Sequence, residues 1–475
     1  MSVQQVQLEL DSNVRRVSNG TALLGGSPFR VVRLSAAGAA LLDRWIAGDT
    51  ELGSGQGAEL HERLIRAGLV HPLPTACASL PTIAFVVPVY DDADGLHRLL
   101  DAVRRDHPND PIIVIDDASS NRSAIAAIAD RNGAQLLRHG INRGPAAARN
   151  TGWRTLESSA MSRTRPDVVV FVDADVVPQA DAVRTMLGHF ADPSVAVVAP
   201  RVQAEAGLDM FSAYEQHDSP LDMGTDAAIV FPGTRLSYVP SAMLAVRFDV
   251  LQDAGGLDEA MRYGEDVDMV WRMIHDGHLV RFEPRAVAHH RNRTSFESFA
   301  RQRFTYGSSA ASLAARHGDK VAPLQLPALT AASTVAMIFG RHYVRFAGLT
   351  AAVGSALSLA RKLDGKIDES HQEALRLVAT THGYATQGLA AAATRSWAPL
   401  LLLTSRSRRA LAAALIIPAL IDWVRTRPAN DPLTHTALRV VDHGSYCAGV
   451  WAGVVRSRSI AALLPRIRIR TRHDD

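Results

Sequence analysis

The spacing of apolar residues changes three times along this chain. Up to about Pro74 the apolar runs are short. "TALLGGSPFRVVRLS" predicts a strand, a Gly25-Gly26 turn, a second strand, and Ser35 as a helix N-cap. "AAGAALLDRWIAG" predicts a helix ending near Gly48, and "GAELHERLIRAGLVHP" a second helix with a last short strand. Short strands around two helices resemble a small winged-helix module; a packing extension of the following domain is the other reading. "PLPTACASLPT", Pro72 to Thr82, is rich in proline and small residues and reads as a linker.

From Ile83 to about Gly318 the runs lengthen. "IAFVVPVY", "IIVIDD", "AQLLRH", "VVVFVDAD" and "VAVVAP" recur with helical stretches between them. That spacing predicts an α/β fold with a doubly wound, mostly parallel sheet. From about Asp319 the chain turns Ala/Leu-rich and helical. Val321 to Gly340 carries no charge, but Pro323, Gln325 and Pro327 dilute it, and "FAGLTAAVGSALSLA" and "ALAAALIIPALI" are shorter than a span needs. Buried or membrane-surface helices are expected there rather than spans. The expected divisions are 1–74, a linker at 75–82, an α/β domain at 83–318 and a helical region at 319–475.

Apolar residues make up 47% and charged residues 21% of the chain, which fits a largely globular protein. Two cysteines, Cys77 and Cys447, exclude a disulfide framework or a zinc cluster and fit a reducing cytoplasm. The first residues are polar, without the apolar core of a signal peptide. The net charge of +3 conceals an asymmetry: from Arg341 onward there are 19 Lys/Arg against 9 Asp/Glu, and before it 32 against 39. A basic, apolar carboxyl-terminal part suggests contact with an anionic membrane surface or another polyanion, on the inner face of the cell membrane. "ELHERLIRAGL" is balanced in charge, so no nucleic-acid partner is expected.

Candidate chemistry clusters in the α/β segment. Val168–Val172 is wholly apolar, as in a strand buried on both faces, and ends in Asp173-Ala174-Asp175. In an extended chain the two carboxylates point the same way, and they repel unless a cation lies between them. They read either as holders of manganese or magnesium against a diphosphate, or as turn-forming aspartates that close a strand. Pro88, Val89, Tyr90, Asp91 and Asp92 fall where the first strand ends, a place for contacts to a nucleotide base. Asp116 and Asp117 end the second; an aspartate there either accepts from a uracil imide or shapes a turn. "NRGPAAARNTG" opens a helix with small residues, Arg143 and Arg149, a match for phosphate that is weak alone. Glu265 and Asp266 begin a later helix, as an ionised base or as an N-terminal charge cap. His289 and His290 could complete a carboxylate metal site. Arg301 and Arg303 read as phosphate clamps or solvated charges. "SAMLAVR", Ser241 to Arg247, shapes the acceptor side or packs in the sheet.

The ordered set "VVPVYDD", "VIDDASS", "NRGPAAARNTG", "VDAD", "GED" and a later histidine resembles the family-2 glycosyltransferases of the GT-A fold, over about Ile83 to Arg303. By that resemblance Pro88, Val89, Tyr90, Asp91, Asp117, Arg149, Asp173, Ala174 and Asp175 are nucleotide or donor contacts. Asp173 and Asp175 form the metal pair with His289 as third ligand, and Asp266 is the catalytic base. Glu265 and Arg303 are candidates for phosphate or acceptor contact. "RQRFTYG" stands where processive synthases carry QxxRW, which leaves processivity and the role of Arg303 open. With its amino-terminal "LLGGSPFRVVRLSAAGAALLDR" the whole chain is similar to the mycofactocin-system glycosyltransferases of actinobacteria. That likeness implies transfer of β-linked glucose from UDP-glucose to a peptide-derived redox cofactor, and an amino-terminal module similar to peptide-recognition domains. The alternatives are a membrane-surface transferase acting on envelope lipid or polysaccharide, and a non-catalytic nucleotide-sugar or peptide adaptor.

Overall fold

A computed structural model describes residues 7–51, 55–74, 80–158 and 165–468. Cys77, most of the expected linker and the tail from 469 lie outside them. The chain forms two compact units: one runs to Arg293, and the other starts at Thr294 and also takes in Arg16–Ala22.

The first unit begins with the small module. Strands Ala22–Gly25 and Arg30–Arg33 are neighbours in a sheet, and Leu8–Leu10 pairs antiparallel with Val70–Pro72. Ser35 caps helix Ala36–Ile46 by accepting from Gly38 N at 3.1 Å. Helix Gly55–Arg66 follows, and the two helices and the strands close over Leu8, Leu23, Leu42, Trp45, Leu64 and Leu69.

The rest of this unit is built on a nine-stranded sheet. Four parallel strands, Gln135–Arg138, Ile112–Asp116, Ile83–Val89 and Val168–Val172, lie side by side in that order. Met243–Arg247 follows antiparallel, then Val195–Ala204, which Leu279–His290 joins in parallel, and Val176–Pro178 at the edge. The Ser241–Arg247 stretch is thus mainly a buried central strand, and the part it was expected to play in shaping an acceptor side falls away for Met243–Val246. The antiparallel insertion makes the sheet mixed.

Side chains alternate across the sheet. Phe85, Val87 and Val89 pack on one face with Leu96 and Leu99 of helix Ala93–Asp106. On the other face Val86 and Ile115 meet helix Pro145–Ser158 at Gly152, where an added Cβ would lie 2.4 Å from Val86 Cγ1. Only glycine allows that helix so close. All five residues of Val168–Val172 are fully buried. A run with no polar alternation needs cover on both faces, and it has it.

The second unit is helical. Val321–Gly340 is not one apolar helix: Gln325–Pro327 is a strand, and helix Ala328–Phe339 is only 12 residues long. Pro327 precedes the helix and holds its backbone extended. The stretch after it, expected to be too short, lies inside the 22-residue helix His342–Leu363. By length and composition this is the helix, among the described residues, long and apolar enough to cross a membrane.

Strand Leu279–His290 is fixed near its start by Glu283. Its carboxylate accepts from His189 Nε2 and from Arg285 Nη2, both at 2.8 Å. Burial alone would raise this carboxyl, but those bonds and charges outweigh it and hold it at about 2. A depressed folded-state pKa adds stability above the ordinary value of 4.5, and that stability is lost as pH falls toward about 2. Glu283→Gln should therefore lower the melting temperature at neutral pH and flatten its decline in that acid window, as read by thermal melts over pH.

Candidate active site

The carboxyl ends of the parallel strands open onto a cleft of about 460 Å³. Open α/β sheets bind ligands at this edge, because the loops there diverge and expose backbone N–H groups. Of the expected donor contacts, Pro88, Val89, Tyr90, Asp91, Asp117, Asp173, Ala174 and Asp175 line it. Arg149 does not.

Asp91 leaves the strand with φ of 52°. Its Oδ1 accepts from Ser120 N at 2.7 Å and Ser120 Oγ at 2.8 Å, and these bonds hold its carboxyl below the usual range. Asp117 is buried, with its oxygens largely taken. Oδ1 accepts from Arg143 N at 2.9 Å and Oδ2 from Gly144 N at 2.7 Å, while His139 Nδ1 lies 2.6 Å from Oδ1. The aspartate expected to read a base therefore spends its main bonds on the loop that starts helix Pro145–Ser158.

Arg149 lies below the cleft and is 2% exposed. Its Nη2 donates to Asp173 Oδ1 at 2.5 Å and its Nη1 to Glu265 Oε1 at 3.2 Å. Burial opposes the guanidinium charge, yet the carboxylates around it hold its pKa above the ordinary value. Arg149 is thus a positioning residue under the site, not a phosphate contact, because its cation is used inside the protein. Burial lifts the Asp173 carboxyl to about 6 despite Arg149, with Asp175 adding to the rise. Burial and the charge of Asp266 push Glu265 to about 8, so near neutral pH it tends to hold its proton.

Asp266 sits one residue into helix Glu265–His275 and is half-buried. Its Oδ2 accepts from Ser241 N at 3.0 Å and its Oδ1 from Val267 N at 2.8 Å. Just before it, Arg262 and Tyr263 form part of the cleft wall. The loop that carries them is tied to helix Pro145–Ser158 by Asn150, whose Nδ2 donates to Leu257 O at 2.8 Å and whose Oδ1 accepts from Leu257 N at 3.0 Å.

The two histidines separate. Neighbours in a strand point to opposite faces. His290 Nε2 lies 3.3 Å from Asp175 Oδ2, whereas His289 Nε2 meets Gln179 Nε2 at 2.7 Å. It is His290, not the His289 expected as third metal ligand, that lies beside Asp175. Arg293 Nη2 also reaches Asp175 Oδ2 at 3.3 Å, and Arg291 Nη2 reaches Asp92 Oδ1 at 2.6 Å. Burial would raise the Asp175 carboxyl, but His290 and Arg293 hold it below its ordinary value. Among the described residues no three His, Cys, Asp or Glu side chains are gathered as a metal site. Asp175 and His290 are paired near Asp173, and these are the side chains present that could hold a divalent cation sharing oxygens with a diphosphate.

Arg303 has a different place. It is buried in the second unit, where its Nε donates to Asp442 Oδ2 at 3.0 Å and its guanidinium lies 4.5 Å from the Phe299 ring centroid. A charge engaged in this way leaves no guanidinium free to clamp a phosphate. Sequence reasoning missed four lining residues: Arg262, Tyr263, Arg291 and Arg293. The alternation in "HHRNR" was the available signal for the last two.

A mixed α/β sheet with this carboxylate-lined cleft at its carboxyl edge is the GT-A glycosyltransferase architecture, and residues 84–255 match Glycosyl transferase family 2. Over 477 aligned residues the chain is 37% identical to the "Pre-mycofactocin glycosyltransferase" of Mycobacterium tuberculosis, covering 97% of each. The chain belongs to that family of glycosyltransferases. It is also 25% identical to the "O-antigen chain rhamnosyltransferase" of Salmonella typhimurium over 232 residues, 46% of this chain and 69% of that one. A loose structural likeness extends to a mannosyltransferase from Pyrobaculum calidifontis in complex with GDP-Man and Mn2+. Its TM-score is 0.39 at 16% identity, covering 66% of this chain and 88% of that one.

Removal of the buried cation should be costly. Arg149→Met leaves Asp173 and Glu265 facing each other without it, and should destabilise the fold by about 3–5 kcal/mol. Glu265→Gln should cost far less, because near neutral pH that carboxyl tends to be uncharged already. Denaturant melts of the two variants check the difference.

Proposed function

We propose that the chain is an inverting, metal-dependent glucosyltransferase that moves glucose from UDP-glucose onto the peptide-derived cofactor mycofactocin or its precursor. The full-length identity to a pre-mycofactocin glycosyltransferase carries this reading. The cleft supports it, since Asp173, Asp175, Arg291 and Arg293 surround one space with the mixed charge a cation and a diphosphate need.

In this reading Tyr90 and Asp91 hold the nucleoside, and Asp175 and His290, with Asp173, hold a divalent cation, Mn2+ or Mg2+. The bound cation supplies charge neutralisation to the departing diphosphate. Arg291 and Arg293 give further positive charge beside the same oxygens. Asp266 takes the proton from the acceptor hydroxyl as that oxygen bonds to the anomeric carbon. The bond from that carbon to the diphosphate breaks on the opposite face, and its electron pair leaves with UDP. One displacement converts an α-linked donor to a β-glycoside. Ser241 N and Val267 N fix the base's orientation, and each carboxylate oxygen keeps a second lone pair for the acceptor. The small amino-terminal module serves as a dock for the peptide-derived acceptor, and the enzyme works at the inner face of the cell membrane. A second reading, with an envelope lipid or polysaccharide as acceptor, draws on the exposed apolar helices of the second unit.

Asp266→Asn should bind UDP-glucose as wild type does and lose about 10²- to 10⁴-fold in turnover. Mass spectrometry of the peptide-derived acceptor, incubated with UDP-glucose and manganese, should show hexose additions with wild type only. Near-normal turnover in the variant would remove Asp266 from its role; UDP release without peptide glycosylation would move the acceptor to lipid or glycan. His290→Ala should weaken manganese-supported UDP binding about 10- to 100-fold, with His289→Ala close to wild type, as read by calorimetry.

A further inference from the structure

Five aspartates and three arginines line the cleft. Walls with an excess of carboxylates repel a diphosphate, so its binding depends on which positive charges are still available. Arg291 is paired with Asp92, and Arg293 with Asp175. Arg149 and Arg303, both expected near phosphate, are buried and answered by carboxylates of their own. That leaves Arg262. It is exposed and lines the cleft, and among the described residues no hydrogen bond or ion pair ties its guanidinium to a carboxylate.

The acids of its own loop, residues 254–264, are turned to other partners. Asp258 Oδ1 accepts from Ala260 N at 2.8 Å. Glu259 Oε2 accepts from Arg143 Nη2 at 2.7 Å, and its Oε1 from Arg154 Nη1 at 2.9 Å and Asn150 Nδ2 at 3.0 Å. Burial would raise the Glu259 carboxyl, but these bonds and charges hold it below its ordinary value, so it is an anion at neutral pH. One exposed ion pair counts for little. Here one carboxylate takes bonds from two residues of helix Pro145–Ser158 and from the loop before it, which fixes the chain three residues ahead of Arg262.

We propose that Arg262 is a substrate-contacting residue whose guanidinium grips the donor's diphosphate, and that Glu259 is the positioning residue that holds its loop. The proposal rests on the nucleotide-sugar reading of the cleft given above. A guanidinium meets two phosphate oxygens at once, and this one breaks no pair within the protein to do so. It stands four residues before Asp266, so the contact to the leaving group and the base lie on one short stretch of chain.

Calorimetry with UDP and manganese reads the contact. Arg262→Met should weaken UDP binding about 10- to 100-fold and leave the binding of uridine, followed by ligand-observed NMR, as in wild type. Arg262→Lys should recover part of the loss. Glu259→Ala should weaken UDP binding severalfold in the wild-type background and add nothing in Arg262→Met, whereas a merely structural role would add the same loss in both. Additive losses would therefore overturn the role of Glu259. Equal losses for UDP and uridine, or UDP binding unchanged in Arg262→Met, would overturn that of Arg262. So would a raised KM for the acceptor with UDP binding intact, which would move Arg262 to the acceptor. A wild type that binds GDP instead of UDP, with the same dependence on Arg262, would overturn the donor assigned above and leave this contact standing; one that binds neither would overturn both.

Discussion

Arg149 is a full positive charge with almost no access to water, and the floor of the cleft is arranged around it. A buried guanidinium is tolerable only when carboxylates answer it. Asp173 supplies most of that answer as an anion and Glu265 accepts a hydrogen bond from Arg149, from two elements far apart in sequence: the end of a parallel strand and the start of helix Glu265–His275. The pairing fixes that strand end against that helix start. It therefore sets where Asp173 faces the cleft and where the residue after Glu265 stands. Asp266 inherits its position from this contact and from the Ser241 backbone N–H.

The electrostatics of the floor follow from the same burial. One cation faces three carboxylates, Asp173, Glu265 and, farther off, Asp266. It cannot compensate all of them, and the deficit appears in the raised carboxyls of Asp173 and Glu265. At the rim the balance reverses: His290 and Arg293 answer Asp175, and Arg291 answers Asp92. Beside Arg291 and Arg293 positive charge thus matches the carboxylates, over a floor that is short of it.

Much of this was legible in the sequence, because strong local rules govern the parts concerned. An unbroken apolar run requires burial on both faces, so Val168–Val172 could be read as a central strand with its carboxylates at the open edge. Ser35 announced a helix, and the helix is there. Register was harder. His289 and His290 differ by one position, and composition cannot tell which of the two faces Asp175; the pairing with Val176–Pro178 decides it. Long-range partners were harder still. Nothing local links Arg303 to Asp442, 139 residues away, or assigns Arg149 to the floor instead of the wall. Asn150 drew no notice beside the arginine, yet its amide ties down the loop that carries Arg262 and Tyr263. The stretch from Val321 to Gly340 was rightly read as diluted by its prolines, since only 12 residues after Pro327 are helical; what composition did not show is that the next apolar stretch lies inside a helix of 22 residues.

Asp117 holds the loop before helix Pro145–Ser158 by its backbone, through the N–H groups of residues 143 and 144. A main-chain anchor does not depend on which side chains the loop carries. Gly144, with φ of 91°, is the part of it that backbone geometry itself restricts. Asn142, which lines the cleft, adds a side-chain bond to Asp117 O at 3.3 Å, and Arg143 pairs with Glu259, but the backbone anchor needs neither, so position 142 can be re-dressed for a different ligand while the sheet edge beneath it keeps its shape.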